Sequence, residues 1–183
     1  MYKKIYIIGP VGSGKTTLSE SLSKKYNIKK YELDKIVWDD DNGNIKRTNE
    51  EINKRFNEII NSKSWIIEDV GRRKFIDGIK KADIVYYINL PKIVIYKRCV
   101  IRWIKQKLGK EKYNYKPTLK SLFEMLGWAN QDIKNKKEKI ERIIKYSKEY
   151  RILKKEDIKK VGRQSIWICI LLDTVKLMAM CIK

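Results

Sequence analysis

Gly9-Pro10-Val11-Gly12-Ser13-Gly14-Lys15-Thr16 decides how this 183-residue chain reads. It matches in full the phosphate-loop pattern of Gly, four residues, then Gly-Lys-Ser/Thr. The residues before it, Lys4 to Ile8, suit a buried strand, and Lys15 to Tyr26 place Leu18 and Leu22 at the i, i+4 spacing of a helix. Strand, glycine-rich turn and helix in that order aim backbone N–H groups and the positive end of a helix at one point, which is what a phosphate needs. Glycines serve because side chains would block the approach. Gly9, Gly12, Ser13, Gly14, Lys15, Thr16 and Thr17 are therefore the expected nucleotide contacts. Lys15 would reach the β- and γ-phosphates, and the Thr16 hydroxyl would ligate a bridging magnesium ion. ATP and Mg2+ are the expected cofactors.

Working outward, strands and helices alternate. Lys30 to Leu33 reads as a second strand, and Thr48 with Glu51 as a capping box for a helix running to Asn61, with Ile52, Phe56, Ile59 and Ile60 inward. Trp65 to Ile67 reads as a third strand, Phe75 to Lys80 as a short helix and Ile84 to Leu90 as a fourth strand. Helices follow over Lys92 to Leu108, Thr118 to Trp128 and Gln131 to Tyr150, and Tyr150 to Leu153 is a fifth strand. Between the first two of those helices lies a basic, aromatic loop, Gly109 to Pro117. The expected fold is a three-layer α/β/α phosphate-loop NTPase with a mainly parallel five-stranded sheet and a helical lid.

Composition narrows the chemistry. Histidine is absent, which removes Ser-His-Asp triads, Cys-His pairs and His-ligated zinc together. Cys99, Cys169 and Cys181 show no paired spacing, so neither a disulfide framework nor a zinc knuckle is expected, and a reducing cytoplasm fits best. No signal peptide or membrane span is expected: Ile5 to Ile8 is short, and Ile166 to Ile182 is interrupted by Asp173 and Lys176. The 43 Lys and Arg against 22 Asp and Glu give a formal net charge of +21. These cations are mostly Lys, spread along the chain and interleaved with acids. That pattern fits a solvated surface with weak nonspecific nucleic-acid binding.

Carboxylates at the C-terminal ends of strands lie where open α/β sheets bind ligands. Asp34 ends the second strand, and Glu68 and Asp69 end the third in WIIED. Such groups hold magnesium or accept a proton from an attacking hydroxyl. Glu68 and Asp69 are both candidates for the metal, with Glu68 favoured because it directly follows the apolar strand. Asp34, alternatively a helix cap, is a candidate for the acceptor. Arg98, Arg102 and Lys105 share a helix face, and with Lys110, Lys112 and Lys116 they could close over ATP and supply cations. Arg72 and Arg73 could hold the acceptor. Trp38 and Tyr113 could line a pocket or be ordinary core or surface aromatics.

The segments GPVGSGKTTLSESLSKKYNI, YELDKIVW, SWIIEDV and KADIVYYINLPK, with the Arg/Lys-rich helix after them, resemble the bacterial phosphate-loop proteins labelled DNA topology modulation protein, FlaR-related. That family is similar in plan to adenylate kinase and shikimate kinase. Over about residues 1 to 160, the resemblance implies that Gly12, Gly14, Lys15 and Thr16 bind nucleotide and that Asp34 faces the acceptor. The chain departs from the family at Glu68-Asp69-Val70-Gly71, where the strand-end acid should be followed directly by Gly.

The expected organisation is a kinase-like domain over 1–163, with a lid at about 98–128, and an apolar tail over 164–183. The tail reads either as a terminal helix packing on the domain or a second copy, or as sequence read out of its original frame. Three functions follow: a magnesium-dependent kinase acting on a small acceptor such as a nucleoside or nucleotide, a nucleic-acid-associated ATPase that alters DNA topology or transcription, and a nucleotide-binding regulatory module. No helix-turn-helix, zinc finger or aromatic RNA-binding signature supports the second. The oligomeric state is not legible in the sequence.

Overall fold

A computed structural model describes residues 2–39, 43, 45–110 and 117–163. The chain runs β1 (Lys4–Ile8), α1 (Lys15–Tyr26), β2 (Lys30–Glu32), α2 (Leu33–Val37), β3 (Trp38–Asp39), β4 (Ile45–Lys46), α3 (Asn49–Asn61), β5 (Trp65–Asp69), α4 (Ile76–Lys81), β6 (Ile84–Ile88), α5 (Lys92–Lys107), α6 (Leu119–Lys134), α7 (Lys136–Tyr146), β7 (Tyr150–Leu153) and α8 (Lys155–Arg163). A turn of 3-10 helix, Arg73–Phe75, precedes α4. The main sheet has the order β2-β5-β1-β6-β7, and every pairing in it is parallel. β1 sits at its centre, with Ile5 opposite Ile66 on one side and Ile84 on the other.

Central strands of such a sheet are buried on both faces, which is why β1, β5 and β6 read as apolar runs. Strand parity then divides the core. Tyr6, Ile8, Trp65 and Ile67 face one layer with Leu33, Ile52, Phe56 and Ile79, so α2, α3 and α4 cover that face, joined by α7 through Ile143. Ile5, Ile7 and Ile66 face the other with Leu18, Leu22, Ile95, Cys99 and Met125, beneath α1, α5 and α6. The start of α3 carries the anticipated capping box, Thr48 with Glu51.

Several elements differ from expectation. The second strand stops at Glu32, and Leu33 opens the short helix α2, so Asp34 lies in a helical first turn instead of at a strand end. The fourth strand ends at Ile88, short of Leu90. The break between α6 and α7 falls at Asn135, not near Ala129, because Ala129 is buried in the core. β3 and β4, a separate antiparallel pair, and α8 were not anticipated. The central part of the basic loop, with Lys112, Tyr113 and Lys116, and the tail over 164–183 lie outside the described residues.

Candidate functional site

β1 delivers the chain into the loop, and α1 starts at its far end with Gly14 as N-cap. Gly12 and Gly14 have φ of +73° and +96°, in the left-handed region where a Cβ is strained. A Cβ on Gly12 would also lie 3.0 Å from the Cys99 sulfur of α5. The loop closes on itself through Ser13 N–H to the Pro10 carbonyl at 3.1 Å, and it joins the sheet through Gly9 N–H to the Asp69 carbonyl at 3.3 Å. Lys15 Nζ donates to the Pro10 carbonyl at 3.0 Å, folded over its own loop. Burial holds the Lys15 ammonium below its ordinary pKa, against the opposing pull of Glu68, Asp34, Asp132 and Asp69. Thr17 is exposed on the first turn of α1.

β5 continues through Glu68 and Asp69, past the predicted end at Ile67, so the two acids fall on opposite faces. Glu68 faces α1. Its Oε1 accepts a hydrogen bond from Thr16 Oγ1 at 3.0 Å, while Oε2 is buried with no partner. Burial, then the nearby Glu32 carboxylate, pushes the Glu68 pKa up to about 6, with Lys15 and Thr16 pulling the other way. A hydroxyl and a carboxylate with an orphaned oxygen are hard donors, and they fit a magnesium ion held mainly by nucleotide phosphates. Among the described residues no three acidic or thiol groups form a metal cage of their own. The residues present fit ATP as well, in the glycine turn and the Lys15 cation.

Asp69 faces the other way. Its Oδ2 accepts from the backbone N–H of Gly71 at 2.8 Å and of Arg72 at 2.6 Å, and its Oδ1 accepts from the Arg72 guanidinium at 2.6 Å. The same guanidinium pairs with Asp34, whose side chain is largely exposed. Asp69 is thus bound up in holding Arg72, whereas Glu68 is the acid beside Thr16. Arg73 does not join Arg72: it points to Glu138 of α7 at 2.9 Å.

Of the predicted lid cations, Arg98 reaches the loop, donating to the Ser13 carbonyl at 2.7 Å. Arg102 and Lys105 are exposed further along α5. Trp38 sits part-exposed on β3.

Three residues unforeseen in the sequence complete the cluster. Arg142 of α7 donates to the Gly71 carbonyl at 3.1 Å, and its Nε is buried without a partner. Lys139, also on α7, is buried and pairs with Asp132 of α6 at 2.5 Å. Gly71, at φ +91°, makes room for them: a Cβ there would lie 3.2 Å from the Lys139 Cδ. The one available signal was the departure from family spacing at Val70-Gly71.

A family model described as AAA domain matches residues 5–114. A search of curated protein sequences gives no match. Among solved structures, a shikimate kinase from Bacteroides thetaiotaomicron is 14% identical with a TM-score of 0.56, over 94% of this chain and 99% of that one. A shikimate kinase from Acinetobacter baumannii, in complex with shikimate, is 16% identical with a TM-score of 0.57, over 93% and 94%. A gluconokinase from Sinorhizobium meliloti 1021 is 11% identical with a TM-score of 0.53, over 96% and 97%. At these identities the likeness is one of fold: a parallel five-stranded sheet with flanking helices, the phosphate-loop kinase plan.

Proposed function

The chain belongs to the AAA domain family, and from that premise we propose that it is a magnesium-dependent phosphotransferase. It moves the γ-phosphoryl group of ATP to a small acceptor, such as a nucleoside or nucleotide. The observation that supports this most is the division at the end of β5. Thr16 and Glu68 meet on the face of the phosphate loop, while Arg72 links Asp34 to Asp69 on the face beyond. Donor groups and acceptor groups thereby flank one strand end.

The backbone N–H groups of Gly12 to Thr16 bind the phosphates, and Lys15 swings from the Pro10 carbonyl to the terminal phosphates. Magnesium, when bound, neutralises charge on those phosphates, with Thr16 holding it and Glu68 placing it. Arg98, with Arg102 one turn on, adds positive charge over the loop in the closed state. Asp34 orients the acceptor hydroxyl and takes its proton, and Arg72 keeps that carboxylate in place. Arg73 remains a candidate for contact with the acceptor from the rim. The working unit is 1–163, with the lid at about 98–128, acting in the cytoplasm.

The test is a screen of radiolabelled γ-phosphoryl transfer against nucleosides, nucleotides and small hydroxy compounds, shikimate and gluconate included. Transfer to one of them is the expected result. Hydrolysis that is strongly stimulated by DNA, without transfer to any small acceptor, would replace the kinase by the second reading, an ATPase acting on DNA in the manner implied by the topology-modulation resemblance. The charge of +21 is what keeps that reading in view.

A further inference from the structure

Gathered around Gly71, on the face beyond β5, are the cations Arg72, Arg73, Lys139 and Arg142 and the carboxylates Asp34, Asp69, Asp132 and Glu138. Each cation is already engaged. Arg72 turns one terminal nitrogen to Asp34 and the other to Asp69, and Lys139 meets Asp132 at 2.5 Å. Arg73 and Arg142 share Glu138, at 2.9 Å and 3.6 Å, and Arg142 also donates to the Gly71 carbonyl. The Arg142 Nε has no partner, but it is buried and so out of reach of an entering ligand. In a chain with 43 Lys and Arg against 22 Asp and Glu, such an even balance is not what composition alone delivers. The groups left open include carboxylates: the Asp34 side chain is 64% exposed and that of Glu138 is 44% exposed. Hydrogen bonding to Arg73 holds the Glu138 carboxyl below its ordinary pKa, so its negative charge is in place at neutral pH. The patch also faces the phosphate loop: burial lowers the Lys15 pKa, and Asp34, Asp132 and Asp69 are among the carboxylates that oppose it.

We infer that the acceptor is an uncharged hydroxyl compound, with no carboxylate or phosphate of its own, and that Glu138 sets this preference by neutralising Arg73 and Arg142. The inference rests on the phosphotransferase reading and narrows it: of nucleoside and nucleotide it selects the nucleoside, together with neutral polyols. A site for an acidic substrate keeps a cation whose counterion is the substrate itself. Here an acid would meet carboxylates first and would have to break an ion pair to gain a cation, which discriminates against it. A neutral hydroxyl compound meets no such barrier, and its O–H groups can donate to the exposed oxygens of Asp34 and Glu138. In the transfer, the acceptor oxygen bonds to the γ-phosphorus as the bond from that phosphorus to the β,γ-bridging oxygen breaks. ADP leaves with that electron pair, and the hydroxyl proton passes to Asp34.

The test uses acceptors in matched pairs: glucitol and gluconate, the methyl ester of shikimate and shikimate, and nucleosides and their monophosphates. Radiolabelled γ-phosphoryl transfer from ATP gives kcat/KM for each. Where a pair is used at all, the neutral member is expected to exceed the acidic one by about tenfold or more. In Glu138→Gln, which releases Arg73 and Arg142, KM for the acidic member should fall by about threefold or more, so that the ratio narrows. Glu138→Asp, which keeps the charge, should hold the native ratio. A role in packing alone would not separate the two members of a pair. Preference of the native protein for the acidic member, or an unchanged ratio in folded Glu138→Gln protein, overturns the inference and leaves the phosphotransferase standing. Hydrolysis with transfer to neither member of any pair overturns the phosphotransferase reading, and this inference with it.

Discussion

Glu68 and Asp69 are neighbours in the chain, yet one accepts a hydrogen bond from Thr16 beside the phosphate loop and the other holds Arg72 on the opposite face of the sheet. The period of two in β5 is the whole cause. In the proposed phosphotransferase, a carboxylate for the donor and a carboxylate for the acceptor side would come from consecutive residues, and their substitutions should have separable effects.

Glu68→Gln tests the donor side and has a sign that can be worked out. The folded pKa of about 6 lies above the ordinary 4.5, so between those values the folded protein keeps a proton that the unfolded chain has lost. Stability therefore falls as pH rises through that window, by roughly 2 kcal/mol at about 1.4 kcal/mol per unit. In the variant the fall disappears and the ligand-free protein is more stable above pH 6, while magnesium-dependent turnover drops. Urea unfolding from pH 4 to 8 in chelator checks the slope. An equal slope in both proteins would place the titrating group elsewhere.

Lys15→Ala should lower ATP turnover by roughly a hundredfold or more, as expected when a preorganised charge is removed from the developing phosphate charge. The fold should stand, because among the described residues the Lys15 side chain donates to its own loop at Pro10 and to no other element. Turnover and melting temperature measured together decide it. Unchanged turnover in a folded variant would remove the central role given to the loop.

Asp34→Asn should leave ATP affinity nearly unchanged and slow transfer by roughly tenfold to ten-thousandfold. The Asp34 side chain is largely exposed, so its ion pair with Arg72 adds only about 0–1 kcal/mol to stability. Reduced stability with normal transfer would instead make it a scaffold residue of α2.

Gly71→Ala places a Cβ at φ +91°, 3.0 Å from Ile8 and 3.2 Å from the Lys139 stem. The strain and the crowding together should cost roughly 1–3 kcal/mol. The change should also push α7 away from Asp69 and Arg72, so that KM for the acceptor rises more than KM for ATP. A variant with native stability and native acceptor KM would show that α7 does not shape the acceptor side.

The phosphate loop, the central strands and the capped helix α3 were all legible in the sequence, because each is governed by local rules: glycine positions, unbroken apolar runs and the Thr48–Glu51 pair. What escaped was of two kinds. α2 spans five residues and β3 and β4 two each, too short to show a period. Arg142 and Lys139 meet Gly71 from some seventy residues away, and nothing local in KKEKIERIIKY sets those cations apart from their neighbours. The roles of Glu68 and Asp69 turned on two residues of strand length, the margin by which sequence reading of strand ends commonly errs.

The central position of β1 bears on how the molecule comes to be made. Its backbone pairs with Trp65–Asp69 on one edge and Ile84–Tyr87 on the other, and has no local partner at all. On a ribosome adding roughly 5–20 residues per second, this strand waits several seconds between its own synthesis and that of its second neighbour. Closing such distant parallel pairs is slow, and an apolar strand left open meanwhile is open to wrong partners. α1, with its local contacts, can form early. The glycine turn before it is anchored to β5 through Gly9, so it takes its final shape only once β5 is in place, well after its own synthesis.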